Sequence, residues 1–226
     1  MKSFFWRLLS YFYDVPIETV AGRDGVILHL CLSRGQYQLY TRHAIYSYGL
    51  HYANFYKIFK KIDIQSFAPD EVLVLGLGLG SIPLMLERSF HLQCAYTAVE
   101  YDEAVIYLAS KYVLGSLQSS VSVMQADAYA YMQHSTGQYD LICIDIFVDD
   151  IIPPEFRSVS FLQAVRKQLS QGGILLFNWL YRDKQSRSEA QQYFDTVFRP
   201  VCPEGEMVIL GLNAMMLDRE GGVTHL

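Results

Sequence analysis

The sequence has no close cysteine pair. Its four cysteines, Cys31, Cys94, Cys143 and Cys202, stand far apart with no CxxC, and three lie in apolar runs where a free thiol behaves as a small buried hydrophobe. A disulfide framework and a zinc site are therefore excluded, and a reducing compartment is indicated. The six histidines are scattered without metal-binding spacing, so no metal is expected. Basic residues are outnumbered, 18 Lys and Arg against 23 Asp and Glu, for a net charge of -5. Nucleic-acid binders usually carry a basic surface, so that class is set aside. There is no internal repeat, no low-complexity tract and no apolar run near the ~20 residues of a membrane span. The aromatic N-terminal stretch through Tyr13 is interrupted by Arg7, closed by Asp14 and followed by no small-residue cleavage site. It reads as a short amphipathic helix packed on the domain or on a second subunit, with a membrane-surface helix as the lesser alternative. A cytoplasmic protein without stable membrane insertion is expected.

What is present is a core. Of 226 residues, 51% are hydrophobic and 18% charged, enough for one α/β domain with a small appendage. Val26 to Leu32 and Tyr37 to Thr41 flank the turn signal Ser33-Arg34-Gly35-Gln36, which predicts a hairpin. A third short strand is expected through Ala44-Ile45-Tyr46, and a helix from Tyr52 to Ile62. The division is placed at 1–62 for the N-terminal helix and small β subdomain, and 63–226 for the main domain. From residue 71 apolar strands alternate with helical segments, the pattern of a parallel sheet with right-handed crossovers. Strands are placed at 71–76, 94–99, 121–125, 139–145 and 172–179. Helices are placed at 80–89, 102–113, 127–134, 158–170 and 187–198. Glu206 to Leu210 and Ala214 to Leu217 are joined by only three residues, which forces an antiparallel hairpin. The expected fold is a doubly wound, Rossmann-like α/β domain of the methyltransferase kind. Its mostly parallel seven-stranded sheet ends in that hairpin, after a small N-terminal β-hairpin subdomain.

Four stations in this domain carry chemistry. In Val72-Leu73-Val74-Leu75-Gly76-Leu77-Gly78-Leu79-Gly80-Ser81 a buried strand runs into alternating glycines and then a helix. That turn lets a ligand approach the backbone, with the free N–H groups of the helix start facing it. Glu100, in Val99-Glu100-Tyr101-Asp102, ends the second strand, where a carboxylate can accept from both ribose hydroxyls. Its bland reading is a surface carboxylate or a helix cap, and Asp102 suits the cap better. Asp127, followed by Ala128, ends the third strand. It can accept from an adenine amino group or simply cap the next helix, and Tyr101 can lie against the adenine face. Asp145 ends the fourth strand, in the crevice where open α/β sheets bind substrates. Asp149 and Asp150 follow on a loop stiffened by Pro153 and Pro154. These carboxylates can hold a cationic amine or take its proton, or merely solvate the loop.

In order and spacing these stations resemble the spermidine synthase family and its spermidine synthase-like methyltransferases, over about residues 25 to 218. The resemblance implies that Gly76, Leu77, Gly78 and Gly80 line the cofactor's methionine-side tail and ribose. It also implies that Glu100 holds the ribose, that Tyr101, Asp127 and Ala128 serve the adenine, and that Asp145 stands between cofactor and acceptor. Aminopropyltransferases carry an aspartate within the glycine turn where this chain has Leu79, and a catalytic loop with a differently spaced aspartate pair. An S-adenosylmethionine-dependent methyltransferase acting on a small-molecule acceptor, possibly an amine, is therefore the leading expectation, with Asp145 and Asp149 catalytic and a homodimer as the assembly. The alternatives are an aminopropyltransferase using decarboxylated S-adenosylmethionine and a non-catalytic binding module on the same scaffold. A nicotinamide dehydrogenase is disfavoured because Ser81 replaces the third fingerprint glycine.

Overall fold

The computed structural model describes residues 2–42, 45–47, 49–148 and 150–220. A helix α1 (Lys2–Leu9) leads into β1 (Val15–Ala21), β2 (Ile27–Ser33), β3 (Gln36–Tyr40) and β4 (Ile45–Ser47), an antiparallel sheet in that order. The expected hairpin is β2–β3, and Ile45 and Tyr46 fall in β4, while Ala44 lies outside the described residues. Strand β1 is an addition to the expectation. Pro16 disrupts the alternation that marks strands, but β1 is an edge, where a missing N–H costs no ladder bond, and the register shifts between Pro16 and Glu18.

Helices α2 (Ala53–Lys61) and α3 (Ile64–Phe67) then enter the larger unit. It comprises β5 (Glu71–Leu75), α4 (Ser81–Phe90), β6 (Ala95–Glu100), α5 (Glu103–Tyr112), β7 (Ser120–Gln125), α6 (Ala128–His134) and β8 (Tyr139–Ile144). It continues through α7 (Val159–Arg166), β9 (Leu169–Leu180), α8 (Lys184–Tyr193), a π-turn at Phe194–Phe198, α9 (Arg199–Val201), β10 (Glu206–Leu210) and β11 (Asn213–Arg219). The sheet order is β10-β11-β9-β8-β5-β6-β7. Strands β5 to β9 run parallel and the last two antiparallel, which is the seven-stranded Rossmann-like arrangement expected. Strand β9 begins before the expected position. Gly172 and Gly173, with which the expected strand opens, sit in an irregularity where the β8–β9 register shifts and Gly172 N–H reaches the Glu220 carbonyl at 2.8 Å.

Alternation along the strands fills both faces of this sheet. Leu73, Leu75, Ile142, Ile144, Leu175 and Phe177 meet Phe161, Leu162 and Phe194 on one side. Val72, Val74, Leu141, Leu176 and Met215 meet Phe55, Ile58, Phe59 and Met85 on the other. Helix α2 therefore packs into the larger sheet. The small sheet lies on α5 through Leu28, Leu30 and Leu39 against Val105, Leu108 and Val113, with Leu79 enclosed among them at 1% exposure. At the surface, the Glu18 carboxylate of β1 accepts from Lys111 (2.9 Å), Tyr112 (2.6 Å) and Tyr107 (3.1 Å) of α5. Beside it, the Arg23 backbone N–H donates to Asp102 at 2.9 Å, and the Arg23 guanidinium stacks 3.6 Å from the Tyr101 ring centre. The small sheet thus roofs the carboxyl ends of β5 to β8. Among the described residues no helix is long and apolar enough to cross a membrane.

The apolar setting of Leu79 gives a direct test. Leu79→Asp places a carboxylate among leucines and valines with no partner. We expect a loss of more than about 3 kcal/mol in urea denaturation; a loss below about 1 kcal/mol would mean that the position reaches water.

Candidate active site

Parallel sheets gather ligands outside the carboxyl ends of their strands, where neighbouring connections diverge. Here that point lies between β5 and β8, whose crossovers lead to opposite sides. Gly76 ends β5 with φ +90°, a conformation that favours glycine. A Cβ at Gly76 would collide with the Asp145 carbonyl, so the two strand ends abut only because the side chain is missing. Gly76 N–H donates to Val99 O (2.9 Å) and Asp145 N–H to Leu75 O (2.8 Å), fixing three strand ends in one row. Above them opens a cleft of about 880 Å³, within the size range of small-molecule sites.

Glu100 is a preformed acceptor in this cleft. Its carboxylate receives the backbone N–H groups of Tyr101 (2.8 Å), Asp102 (3.1 Å) and Gly78 (3.2 Å). Burial nevertheless raises its pKa, and these three donors offset only part of that cost. Asp102 is the cap, accepting from Ala104 N–H at 2.8 Å. Asp127 also caps, accepting from Ala130 N–H at 2.8 Å with Oδ1, while lining the cleft beside Ala126 and Ala128. Capping and ligand contact are thus compatible at Asp127, because one oxygen serves each.

Asp145 is the chemical centre of the floor. Tyr52 Oη–H (2.9 Å) and Asn178 Nδ2–H (2.8 Å) both donate to its Oδ1. Among the described residues Oδ2 has no donor. Burial pushes the carboxyl up to about 6 from the ordinary 3.8, against the opposing pull of Asn178 and Tyr52. Burial, reinforced by the charge of Asp145, holds the Tyr52 phenol well above its usual range. Asn178 is in turn bonded through Oδ1 to the amide of Asn213 at 2.9 Å.

Gly76, Gly78, Glu100, Tyr101, Asp127, Ala128 and Asp145 all line the cleft. Leu77 and Gly80 are not among the lining residues: Leu77 is buried in the core, and Gly80 faces Leu114 from the start of α4. Asp149 lies outside the described residues. Asp150 is committed to Arg182 at 2.7 Å. The sequence reading missed Tyr52, Asn178 and Asn213. The available signal was Asn178 itself, a polar residue inside the otherwise apolar run Ile174 to Leu180.

A seven-stranded sheet with carboxylates at the ends of β6, β7 and β8, on both sides of the glycine turn after β5 and opening on one cleft, defines a Rossmann-like domain of the methyltransferase type. The sequence matches the spermine/spermidine synthase domain over residues 56–208, and the chain belongs to that family. It is 30% identical over 160 residues to a polyamine aminopropyltransferase of Vibrio vulnificus, covering 67% of this chain and 53% of that protein. It is 32% identical over 127 residues to the human eEF1A lysine and N-terminal methyltransferase, covering 51% of this chain and 18% of that protein. The chain thus spans about half the length, or less, of these curated relatives. In fold it is similar to a probable spermidine synthase from Corynebacterium glutamicum (TM-score 0.71, 16% identity, 91% of this chain and 81% of that one). It is also similar to human methyltransferase-like protein 13 in complex with SAH (TM-score 0.58, 24% identity, 73% and 78%).

Because the Asp145 pKa is raised on folding, the folded state favours its protonated form. That contribution is complete below the unfolded value of 3.8 and is lost as pH rises through about 6. An asparagine side chain in its place retains an oxygen for Tyr52 and Asn178 without the charge. At pH 8 we expect Asp145→Asn to be more stable than wild type by up to about 3 kcal/mol, with the difference fading towards pH 4. Equal stability of the two proteins in urea across that range would contradict the assigned environment.

Proposed function

We propose that the chain binds S-adenosylmethionine and transfers its methyl group to the nitrogen of a small-molecule amine held at Asp145. The observation that carries this is the direction of the hydrogen bonds around Asp145. The Tyr52 hydroxyl is spent on Asp145, the Asn178 amide protons face Asp145 and Tyr52, and the Asn213 amide faces Asn178. What the cluster offers a ligand is acceptors, foremost Asp145 Oδ2, and a protonated amine is the matching donor.

The cofactor supplies an already activated sulfonium methyl, so the protein's task is mostly positioning. Glu100 would take the ribose hydroxyls, and Asp127 with the Ala128 N–H the adenine edge. Asp145 would accept a proton from the incoming ammonium through Oδ2. The freed nitrogen lone pair would then form the N–C bond as the S–C bond breaks and its electron pair returns to sulfur.

Two observations favour methyl over aminopropyl transfer. Leu79, where aminopropyltransferases carry a carboxylate, is sealed in an apolar cluster and cannot meet an aminopropyl ammonium. Three guanidiniums line the cleft: Arg23 stacks on Tyr101 and Arg182 is paired with Asp150. Arg42 makes no ion pair among the described residues, so it is the cation suited to a methionine carboxylate. Aminopropyl transfer is the second reading, favoured by the likeness to the Vibrio enzyme.

Calorimetric titration with S-adenosylhomocysteine and methylthioadenosine separates the readings, since the two differ by the amino-acid tail. We expect at least about tenfold preference for the former, and Arg42→Ala to remove most of that preference. Preference for methylthioadenosine would restore aminopropyl transfer, and binding of neither would leave a non-catalytic module. Once an amine acceptor is turned over, Asp145→Asn should lower kcat by about 10²- to 10⁴-fold with cofactor affinity nearly kept. The wild-type rate should climb with pH through about 6 as Asp145 ionises; a flat acid limb would remove it as the base.

A further inference from the structure

The last hairpin reaches the candidate base through two amides. Strands β9 and β11 pair with Asn213 opposite Leu180 and Met215 opposite Asn178. Asn213 is therefore the diagonal neighbour of Asn178 on the same face of the sheet, a spacing that side chains can bridge. Strands β8 and β9 run parallel with Ile144 opposite Phe177, so Asp145 falls level with Asn178 on its other flank. The bonds follow this lattice: Asn213 Nδ2–H to Asn178 Oδ1 at 2.9 Å, then Asn178 Nδ2–H to Asp145 Oδ1 at 2.8 Å.

A buried primary amide can sit in two orientations, with oxygen and nitrogen exchanged. Asn178 is fully buried, so bulk water cannot choose for it. Asp145, being an acceptor when ionised, prefers the orientation seen, yet a carboxylate that becomes protonated accepts either. Asn213 weighs that choice towards the orientation seen, in which its amino group donates to the Asn178 oxygen. The hairpin does not need this bond for its own pairing, since the Asn213 backbone already pairs with Leu210 and Leu180.

We propose that Asn213 is a positioning residue for Asp145, acting through Asn178 to keep its amide turned so that N–H, not C=O, faces the carboxylate. This rests on the reading of Asp145 as the proton acceptor, and the coupling itself is measurable without substrate. By its sequence position Asn213 belongs to the edge of the domain, far beyond Asp145 along the chain. Its effect nevertheless converges on one oxygen, leaving Oδ2 for chemistry.

Among the described residues the titratable groups that face Asp145 are Tyr52, from the turn before α2, and Cys143, two residues earlier on β8. Burial holds both neutral well above their usual ranges. Among the described groups of this cluster, the titration near 6 belongs to Asp145. The experiment is carboxyl ¹³C NMR of the full chain labelled at aspartate, with the Asp145 resonance assigned by its loss in D145N. N213L is the main variant, since it is nearly isosteric and suits a strand. N213A is measured beside it so that poor folding of one leaves the other.

We expect each to raise the Asp145 midpoint by about half to one pH unit, the scale of one weakened hydrogen bond to a charged group. N178L should raise it at least as far, and N178L/N213L no further than N178L. Midpoints that coincide with wild type, or an N213L shift that persists in full on the N178L background, would overturn the proposal. S-adenosylhomocysteine titration of the same samples keeps the two ideas apart. Shifted midpoints without nucleoside binding would sink the transferase reading while leaving the Asn213–Asn178–Asp145 coupling in place.

Discussion

The structure depends on the contact between Gly76 and the backbone of Asp145. Only a residue without Cβ lets β5 end against the start of the loop after β8, and there the carboxylates of the strands on either side of β5 stand over one cleft. The backbone bonds from Gly76 to Val99 and from Asp145 to Leu75 tie the β6, β5 and β8 ends into one level. The carboxylates of the cleft rise from that level: Glu100 with its three backbone donors, Asp127 with one oxygen spent on a helix, and Asp145 with one oxygen loaded twice. The left-handed turn at Gly76 costs glycine little and would strain any other residue, so scaffold and site are specified by the same position.

The division of labour within Asp145 explains why a buried carboxylate is tolerated. An isolated charge in such a place would neutralise, and the raised pKa records that tendency. Two donors on Oδ1 restrain it without closing Oδ2. The carboxyl is thus held near 6, ionised at neutral pH yet more basic than an ordinary aspartate. The stability lost in holding it is drawn from a sheet whose two faces are filled with leucine, isoleucine, valine and phenylalanine.

Much of this was legible in the sequence, because its strongest signals are local. A buried strand ending in glycines, and carboxylates at the ends of the next strands, can be read without knowing which elements touch. Glu100, Asp127 and Asp145 belong to that kind. Tyr52, Asn178 and Asn213 do not. They reach the site from a turn before a helix, the middle of an apolar strand and the start of the final one, and only the sheet order brings them together. Strand β1 was hidden by Pro16, which is harmless at an edge but obscures periodicity. The early start of β9 was hidden because Ser170 and Gln171, ahead of the two glycines, carry no apolar alternation. Asp149 and Asp150 looked alike in sequence, yet Asp150 is occupied by Arg182.

The attachment of the small sheet has a consequence for how the molecule breathes. Its inner contact is apolar, but its outer seam is the exposed Glu18–Lys111 pair and the stack of Arg23 on Tyr101, interactions that mobile ions weaken and that contribute little individually. The floor of the cleft belongs to a sheet buried on both faces, whereas the covering layer is joined to it through one smaller apolar cluster and this seam. Raising the ionic strength is therefore expected to loosen this outer seam first and to leave the buried strand ends that carry Glu100 and Asp145 unchanged.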